Sequence, residues 1–298
     1  MEVVKINTCP VCSGSRFKKV MVCVDRQATG ETFTICRCTG CGLLITKNAP
    51  VESQIGRYYD SPAYIPHSDS SKGLMNRAYH LVRRIMLFRK LRLIRHACHI
   101  KRGTLLDIGT GTGYFPAYML HKGWTVTAIE KSEQARRFAG RHFSVEVLPT
   151  EELFRQREEE YDAITMWHVT EHIEQLNETW EQIYKSLKRT GVLIVAVPNP
   201  RSYDAGVYGK DWAAYDVPRH LWHFTPSVMQ QLGAKHGFIL AERHTMPFDA
   251  FYISMMSERQ QKHSLALLRG FWTGLRGLAA SSVKKDKSSS ITYVFRKK

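Results

Sequence analysis

The chain has 298 residues, 43% of them hydrophobic and 23% charged, which is enough for one large globular domain plus a smaller module. No run approaches the roughly 20 apolar residues of a membrane-spanning helix, and the first residues lack the pattern of a signal peptide. We therefore expect a cytoplasmic protein. Its net charge of +16 favours contact with anions, such as nucleic acid, a phosphorylated substrate or the inner face of a membrane to which it binds peripherally.

The N-terminal segment, residues 1–48, carries two Cys-x-x-Cys pairs. Four thiolates in two such pairs match the tetrahedral coordination of zinc, and strand-like alternation between the pairs is typical of a zinc ribbon. A redox-active pair is the rival interpretation. A site closed by four cysteines has no open position, so we expect a structural zinc and no catalysis there. The predicted ligands are Cys9, Cys12, Cys38 and Cys41.

Residues 49–102 are predicted to form a linker followed by a basic helix. Residues 48–73 are rich in Pro, Ser and Tyr, whereas residues 74–100 repeat apolar positions every three to four residues, as one face of a helix does. From Lys72 to Arg102 there are ten Lys or Arg and no acid. We expect the apolar face to pack on the main domain. Contact of the arginines with a membrane surface or a phosphate is the alternative.

A glycine-rich loop in residues 103–130 is the most informative feature. A short apolar strand, TLLDI, leads into GTGTG, then a helix, then the strand WTVTAIE that closes on an acid. This order forms the first half of a Rossmann-like βαβ unit, in which the backbone of the loop approaches the ligand. The dinucleotide fingerprint is absent, because Tyr114 stands where its third glycine would be.

The pattern Asp-x-Gly-x-Gly-x-Gly resembles motif I of the class I S-adenosylmethionine-dependent methyltransferases. The resemblance implies that S-adenosylmethionine is the cofactor, that the loop lines its methionine half, and that the acid ending the second strand binds its ribose. It also places the histidine after the fourth strand beside the cofactor. The residues so implied are Asp107, Gly109, Gly111, Gly113, Glu130 and His168.

The remaining elements fit the same family. Further strands are predicted to begin near residues 161, 191, 239 and 291, and a helix begins with Thr225 as N-cap. We therefore expect an α/β fold over residues 103–298, with a Rossmann-like seven-stranded sheet and inserts at 200–224 and 249–288. The stretches WHVTEHI and VPN resemble small-molecule methyltransferases, including quinone and sugar O-methyltransferases.

The chemistry is predicted at the carboxyl ends of the strands, where open α/β sheets bind ligands. Methyl transfer to a hydroxyl requires a base, and histidine suits that role. We expect the stretch DVPRHLWHFTP (216–226) to form a lid over the acceptor, and a packed aromatic loop is the alternative. By itself the stretch offers too few ligands for a metal. The candidate bases are His172, His220 and His223, and the candidate substrate contacts are Asp216, Arg219 and Trp222.

The sequence thus predicts methyl transfer to oxygen, less readily to carbon, of a small-molecule, glycan-type or lipid-linked acceptor. A zinc-ribbon rRNA methyltransferase is the alternative, although MWHVTEHI stands where base-amino methyltransferases carry an Asn/Asp-Pro-Pro-aromatic motif. A non-catalytic zinc and nucleotide-binding module is a third possibility. The insert 249–288 is predicted to cap the pocket, meet a second subunit, rest on a membrane or pack in the core, and the sequence does not choose among these or predict an oligomeric state.

Overall fold

A computed structural model describes residues 2–59 and 74–298 of the chain. The part of the predicted linker at 60–73 lies outside the described residues. Among the described residues, no helix combines the length and the apolar character needed to cross a bilayer.

The N-terminal segment forms three antiparallel strands, and the alternation between the two cysteine pairs predicts the first two of them. They are β1 (Phe17–Val24), β2 (Thr32–Cys38) and β3 (Leu44–Lys47). A fourth strand, β9 (Trp222–His223), comes from the insert 200–224 and pairs antiparallel with β3. The sheet order is β1-β2-β3-β9.

The second sheet has seven strands, which confirms the predicted Rossmann-like fold. Its order is β10-β11-β8-β7-β4-β5-β6, and β4 pairs parallel with both β5 and β7. The strands are β4 (Thr104–Ile108), β5 (Thr125–Ile129), β6 (Val147–Leu148), β7 (Tyr161–Trp167), β8 (Leu187–Pro198), β10 (Phe238–Thr245) and β11 (Ser290–Lys297).

Eight α-helices are present in the described ranges, besides short 3-10 helices. Thr225 caps the sixth of them as predicted, since its side chain accepts a hydrogen bond from the Val228 N–H, and Pro226 occupies the first turn. The helices are α1 (Leu74–Cys98), α2 (Tyr114–His121), α3 (Glu133–Phe143), α4 (Leu176–Ser186), α5 (Tyr203–Tyr208), α6 (Pro226–Lys235), α7 (Pro247–Gln260) and α8 (Ala266–Val283).

The chain divides into two compact units that do not follow the predicted segments. Unit 1 comprises residues 1–64, 168–177 and 195–293, and unit 2 comprises 65–167, 178–194 and 294–298. Unit 1 therefore groups the cysteine-containing strands with both inserts. Its core joins apolar side chains of all three, namely Phe33, Ile35, Leu44, Trp212, Tyr215 and Ile253 among others.

In unit 2, the basic helix α1 packs through only part of its predicted apolar face. Leu91 and Ile94 are buried against the core that contains Leu105 and Phe115. Leu81 and Phe88, which the same periodicity places on that face, are exposed. Of the side chains of α1 that the structure describes, those in the C-terminal turns pack against the core of unit 2, whereas Leu81 and Phe88 do not.

Candidate functional site

The four cysteines of the two pairs converge in unit 1. Cys9 Sγ lies 3.5 Å from Cys41 Sγ, and Cys12 Sγ lies 3.5 Å from Cys38 Sγ. All four sulfurs lie within 4.8 Å of one another, and tetrahedral zinc with bonds of about 2.3 Å would hold its ligands at about 3.8 Å. Burial raises the pKa of Cys38, but the backbone N–H groups of Cys41 and Gly40 outweigh it and lower that pKa to about 7. The cluster fits the metal.

The glycine loop of unit 2 follows strand β4 and contacts Glu130. Gly111 adopts a φ of 60°, and a Cβ built there would meet no atom within 4 Å, so the backbone faces open space. Its N–H donates to Glu130 Oε2 at 2.7 Å, and the Ser132 N–H donates to Glu130 Oε1 at 2.8 Å. Gly113 has another role, because a Cβ there would stand 2.6 Å from Ala139 Cβ on α3.

Asp107 is buried beneath this loop and holds its shape. Its carboxylate accepts hydrogen bonds from Thr165 Oγ1 at 2.6 Å and Thr110 Oγ1 at 2.7 Å. Burial raises its pKa to about 6, although both hydroxyls act in the opposite direction. The structure thus brings Asp107, the glycines and Glu130 together, and their contact with S-adenosylmethionine stays a prediction.

The stretch 216–226 is attached to the cysteine-containing strands. Besides the pairing of β9 with β3, the Thr46 N–H donates to Leu221 O at 2.9 Å, and the Thr46 hydroxyl donates to His220 O at 2.7 Å. The same hydroxyl lies 3.0 Å from His223 Nε2. Since its one hydrogen points to His220 O, the His223 Nε2–H is the donor in that contact.

Arg219 is buried in an ion-pair network. Its guanidinium donates to Asp216 Oδ1 at 2.6 Å, to Asp25 Oδ1 at 3.0 Å and to Tyr58 O at 2.7 Å. The side chain is 1% exposed. Contact of Arg219 and of Asp216 with the acceptor stays a prediction, and in the structure these two side chains are paired with each other. Trp222 likewise donates through Nε1 to Ile173 O at 2.7 Å.

Glu171, His172 and His220 form a cluster that the sequence alone does not bring together. Each offers a ligand atom within 4.8 Å of the others. The rings of His172 and His220 meet edge to face at 4.5 Å. Glu171 is 1% exposed, and neither carboxylate oxygen has a hydrogen-bond partner. The donor set of two imidazoles and one carboxylate is also of the kind that binds a divalent cation.

The backbone carbonyls beside His172 and His220 decide which ring nitrogen carries the hydrogen. His172 Nδ1 lies 3.0 Å from Arg219 O, and His220 Nδ1 lies 2.9 Å from Ala214 O. A carbonyl only accepts, so Nδ1 carries the hydrogen in each ring, and the neutral ring of His172 keeps a lone pair on Nε2. Burial and the neighbouring His220 lower the pKa of His172 to about 4, which leaves its ring neutral at physiological pH.

His168 ends strand β7 in a left-handed conformation, with a φ of 59°. Its Nε2 lies 3.2 Å from Asp249 Oδ2 on α7, and its Nδ1 lies 3.5 Å from Glu171 Oε1. Burial acts to lower the pKa of His168, but the two carboxylates outweigh it and raise that pKa to about 10. Its contact with the cofactor stays a prediction, and Asp249 is a partner that no sequence pattern indicated.

Three comparisons with known proteins agree with this architecture. The Methyltransferase domain family matches residues 79–242, more than half of the chain. A ubiquinone biosynthesis O-methyltransferase from Pseudomonas savastanoi pv. phaseolicola is 27% identical over 140 residues, and its counterpart from Caulobacter vibrioides is 32% identical over 119 residues. The matches cover 44% and 38% of this chain and 60% and 47% of those relatives, so the similarity spans only part of each.

Among solved structures, a putative sarcosine dimethylglycine methyltransferase from Galdieria sulphuraria superposes with a TM-score of 0.53 at 14% identity. The superposition covers 74% of this chain and 87% of the other. At that identity the likeness concerns the fold.

Proposed function

Because the chain belongs to the Methyltransferase domain family, we propose that it transfers a methyl group from S-adenosylmethionine to a hydroxyl oxygen of a small-molecule acceptor. The enzyme class and the cofactor follow from the family. The names of the two relatives support oxygen as the accepting atom. In unit 2, Gly109, Gly111 and Glu130 would hold the cofactor, and Asp107 would hold the loop.

The observation that best supports proton removal from the acceptor is the cluster of Glu171 and His172. The reaction breaks the bond between the methyl carbon and the sulfonium, forms a bond from that carbon to the acceptor oxygen, and releases the hydroxyl proton. His172 Nε2 has the lone pair to take that proton, and the negative Glu171 stabilises the imidazolium that results. His172 is half-buried, whereas His223 is 4% exposed and bonded to Thr46.

We assign His172 as the base, with His220 and His223 as supporting side chains. His220 stands edge-on to His172 and helps to fix its ring. The four cysteines are proposed to bind a structural zinc. The metal would stabilise strands β1–β3, to which residues 216–226 are attached.

Replacing His172 by glutamine tests this assignment. We expect turnover to fall by about 100-fold or more, the usual contribution of a general base, while the affinity for S-adenosylhomocysteine is unchanged. The assay transfers labelled methyl groups from S-adenosylmethionine to a panel of phenols, catechols and sugar nucleotides, and calorimetry measures the binding of S-adenosylhomocysteine.

His244→Gln is the matched control, because His244 is a half-buried histidine on β10 that also contacts a carboxylate, Glu242. Equal loss of turnover in both variants would contradict the role of His172. If the wild-type protein fails to bind S-adenosylhomocysteine, the proposed function is wrong altogether. Tight, salt-resistant binding of RNA with no methylation of the panel would instead favour the RNA methyltransferase.

A further inference from the structure

The C-terminal insert folds into a helical hairpin of α7 and α8 whose inner face is made of glycines. A Cβ at Gly270 would stand 2.4 Å from Met255 Cα, and one at Gly274 would stand 2.8 Å from Phe251 Cα. Gly277 is also buried. The two helices therefore approach each other closely, and the large side chains of α8 point elsewhere.

Those large side chains form an exposed apolar stripe. At about 100° per residue, its five members fall within an arc of about 140° that begins beside the glycine face of α8 and continues onto the exposed side of the helix. Each is between 39% and 54% exposed, an unusual amount of contiguous apolar surface for one helix. The stripe consists of Leu267, Leu268, Phe271, Trp272 and Leu275.

Cations border this stripe. Arg269 and Arg276 lie along one edge of the stripe on α8. Lys284 and Lys285 come directly after the last turn of the helix. Arg269 also contacts Glu258 on α7 at 3.2 Å. Between Arg259 and Lys298 the sequence contains ten Lys or Arg and a single acid, Asp286. The surface around the stripe is therefore apolar and positive.

We propose that α8 binds peripherally to an anionic lipid bilayer, with the apolar stripe at the acyl boundary and the arginines at the headgroups. A helix with this division of residues lies in the plane of the interface, where burial of apolar area and attraction to anionic lipid add. A second copy of the chain is a poorer occupant, because two-fold packing through the stripe would bring like charges together.

Vesicle flotation tests the proposal with the full-length protein. We expect it to float with vesicles of phosphatidylcholine and phosphatidylglycerol, and much less with phosphatidylcholine alone. Trp272→Glu should weaken partitioning at least tenfold. Ile239→Glu is the matched control, because Ile239 on β10 has the same 54% exposure as Trp272, and this variant should bind like the wild type.

Arg276→Gln tests the electrostatic part, and we expect weaker binding to the anionic vesicles together with a smaller dependence on salt. The proposal is overturned if the wild type does not float, or if both glutamate variants lose binding equally. A dimer that Trp272→Glu dissociates, with no flotation of the wild type, would assign the stripe to a second copy instead. None of these outcomes depends on methyl transfer, so they separate this proposal from the proposed function.

Discussion

Arg219, in the stretch 216–226, donates a hydrogen bond to the buried carboxylate of Asp25. It thereby links this stretch to the cysteine-containing strands. Asp25, which is 1% exposed, accepts hydrogen bonds from Arg219, from the Thr29 N–H and from the Thr29 hydroxyl. Burial acts to raise the pKa of Asp25, but these donors outweigh it and lower that pKa. The carboxylate is therefore charged in the folded protein and depends on its donors.

Arg219→Met should reduce the free energy of unfolding by about 3–5 kcal/mol, because it leaves the buried charge of Asp25 without its cation. Urea denaturation at neutral pH measures the change. Arg155→Met is the control. Arg155 pairs with Glu152 but is 73% exposed, and such a pair contributes less than about 1 kcal/mol. Similar losses in the two variants would show that the Asp25 network is not a stabilising feature.

Strand β9 makes the insert 200–224 part of the N-terminal sheet. Leu44 pairs with His223 and Ile45 with Trp222, and the core beneath them joins Phe33 and Leu44 to Trp212 and Tyr215. Whatever stabilises β1–β3 therefore also stabilises the segment that anchors His172 through Arg219 O. The cysteine cluster holds those strands together. We therefore expect the metal bound by the cysteines to stabilise also the segment that anchors His172.

Removal of the proposed zinc should therefore disorder residues 216–226, while the glycine loop of unit 2 still binds the cofactor. Cys12→Ser is a suitable variant, because Cys12 is exposed and the change costs little packing. We expect loss of bound zinc by atomic absorption, faster amide hydrogen exchange at Thr46 and Leu221, and lower methyl transfer with retained binding of S-adenosylhomocysteine. Cys98→Ser, outside the cluster, is the control. Full zinc content in Cys12→Ser would refute the ligand assignment.

The sequence predicted the elements whose pattern is local. Apolar runs located strands of the large sheet, and binding of the cofactor by the glycine loop and Glu130 stays a prediction. β9 has two residues and no periodicity, and its pairing is decided by tertiary contacts. Glu171 and His220 are 49 positions apart in the sequence. Periodicity and motif spacing relate residues that are near in sequence, so they did not predict this contact. The glycines 270, 274 and 277 did carry a signal, because three small residues at helical spacing indicate close packing of helices.

At the scale of the whole molecule, acid affects a chain that is already strongly positive. The protein has a net charge of +16 and 13 histidines, so lowering the pH adds further positive charge. Only groups whose pKa differs between the folded and unfolded states change the stability with pH. Burial and the neighbouring His220 lower the pKa of His223 from an ordinary 6.5 to about 3. This histidine is neutral when folded and takes up a proton when unfolded in acid.

The contribution of His223 to stability is complete above pH 6.5 and declines as the pH falls towards 3, by up to about 1.4 kcal/mol for each pH unit. We expect the free energy of unfolding of His223→Gln to fall less steeply than that of the wild type between roughly pH 6 and pH 4. Urea denaturation across that range measures both slopes. Protonation of cysteine ligands affects both proteins alike and cancels in their difference. His244→Gln, at a half-buried position on β10, should follow the wild-type slope. A profile of His223→Gln parallel to that of the wild type would show that His223 is not held neutral by the fold.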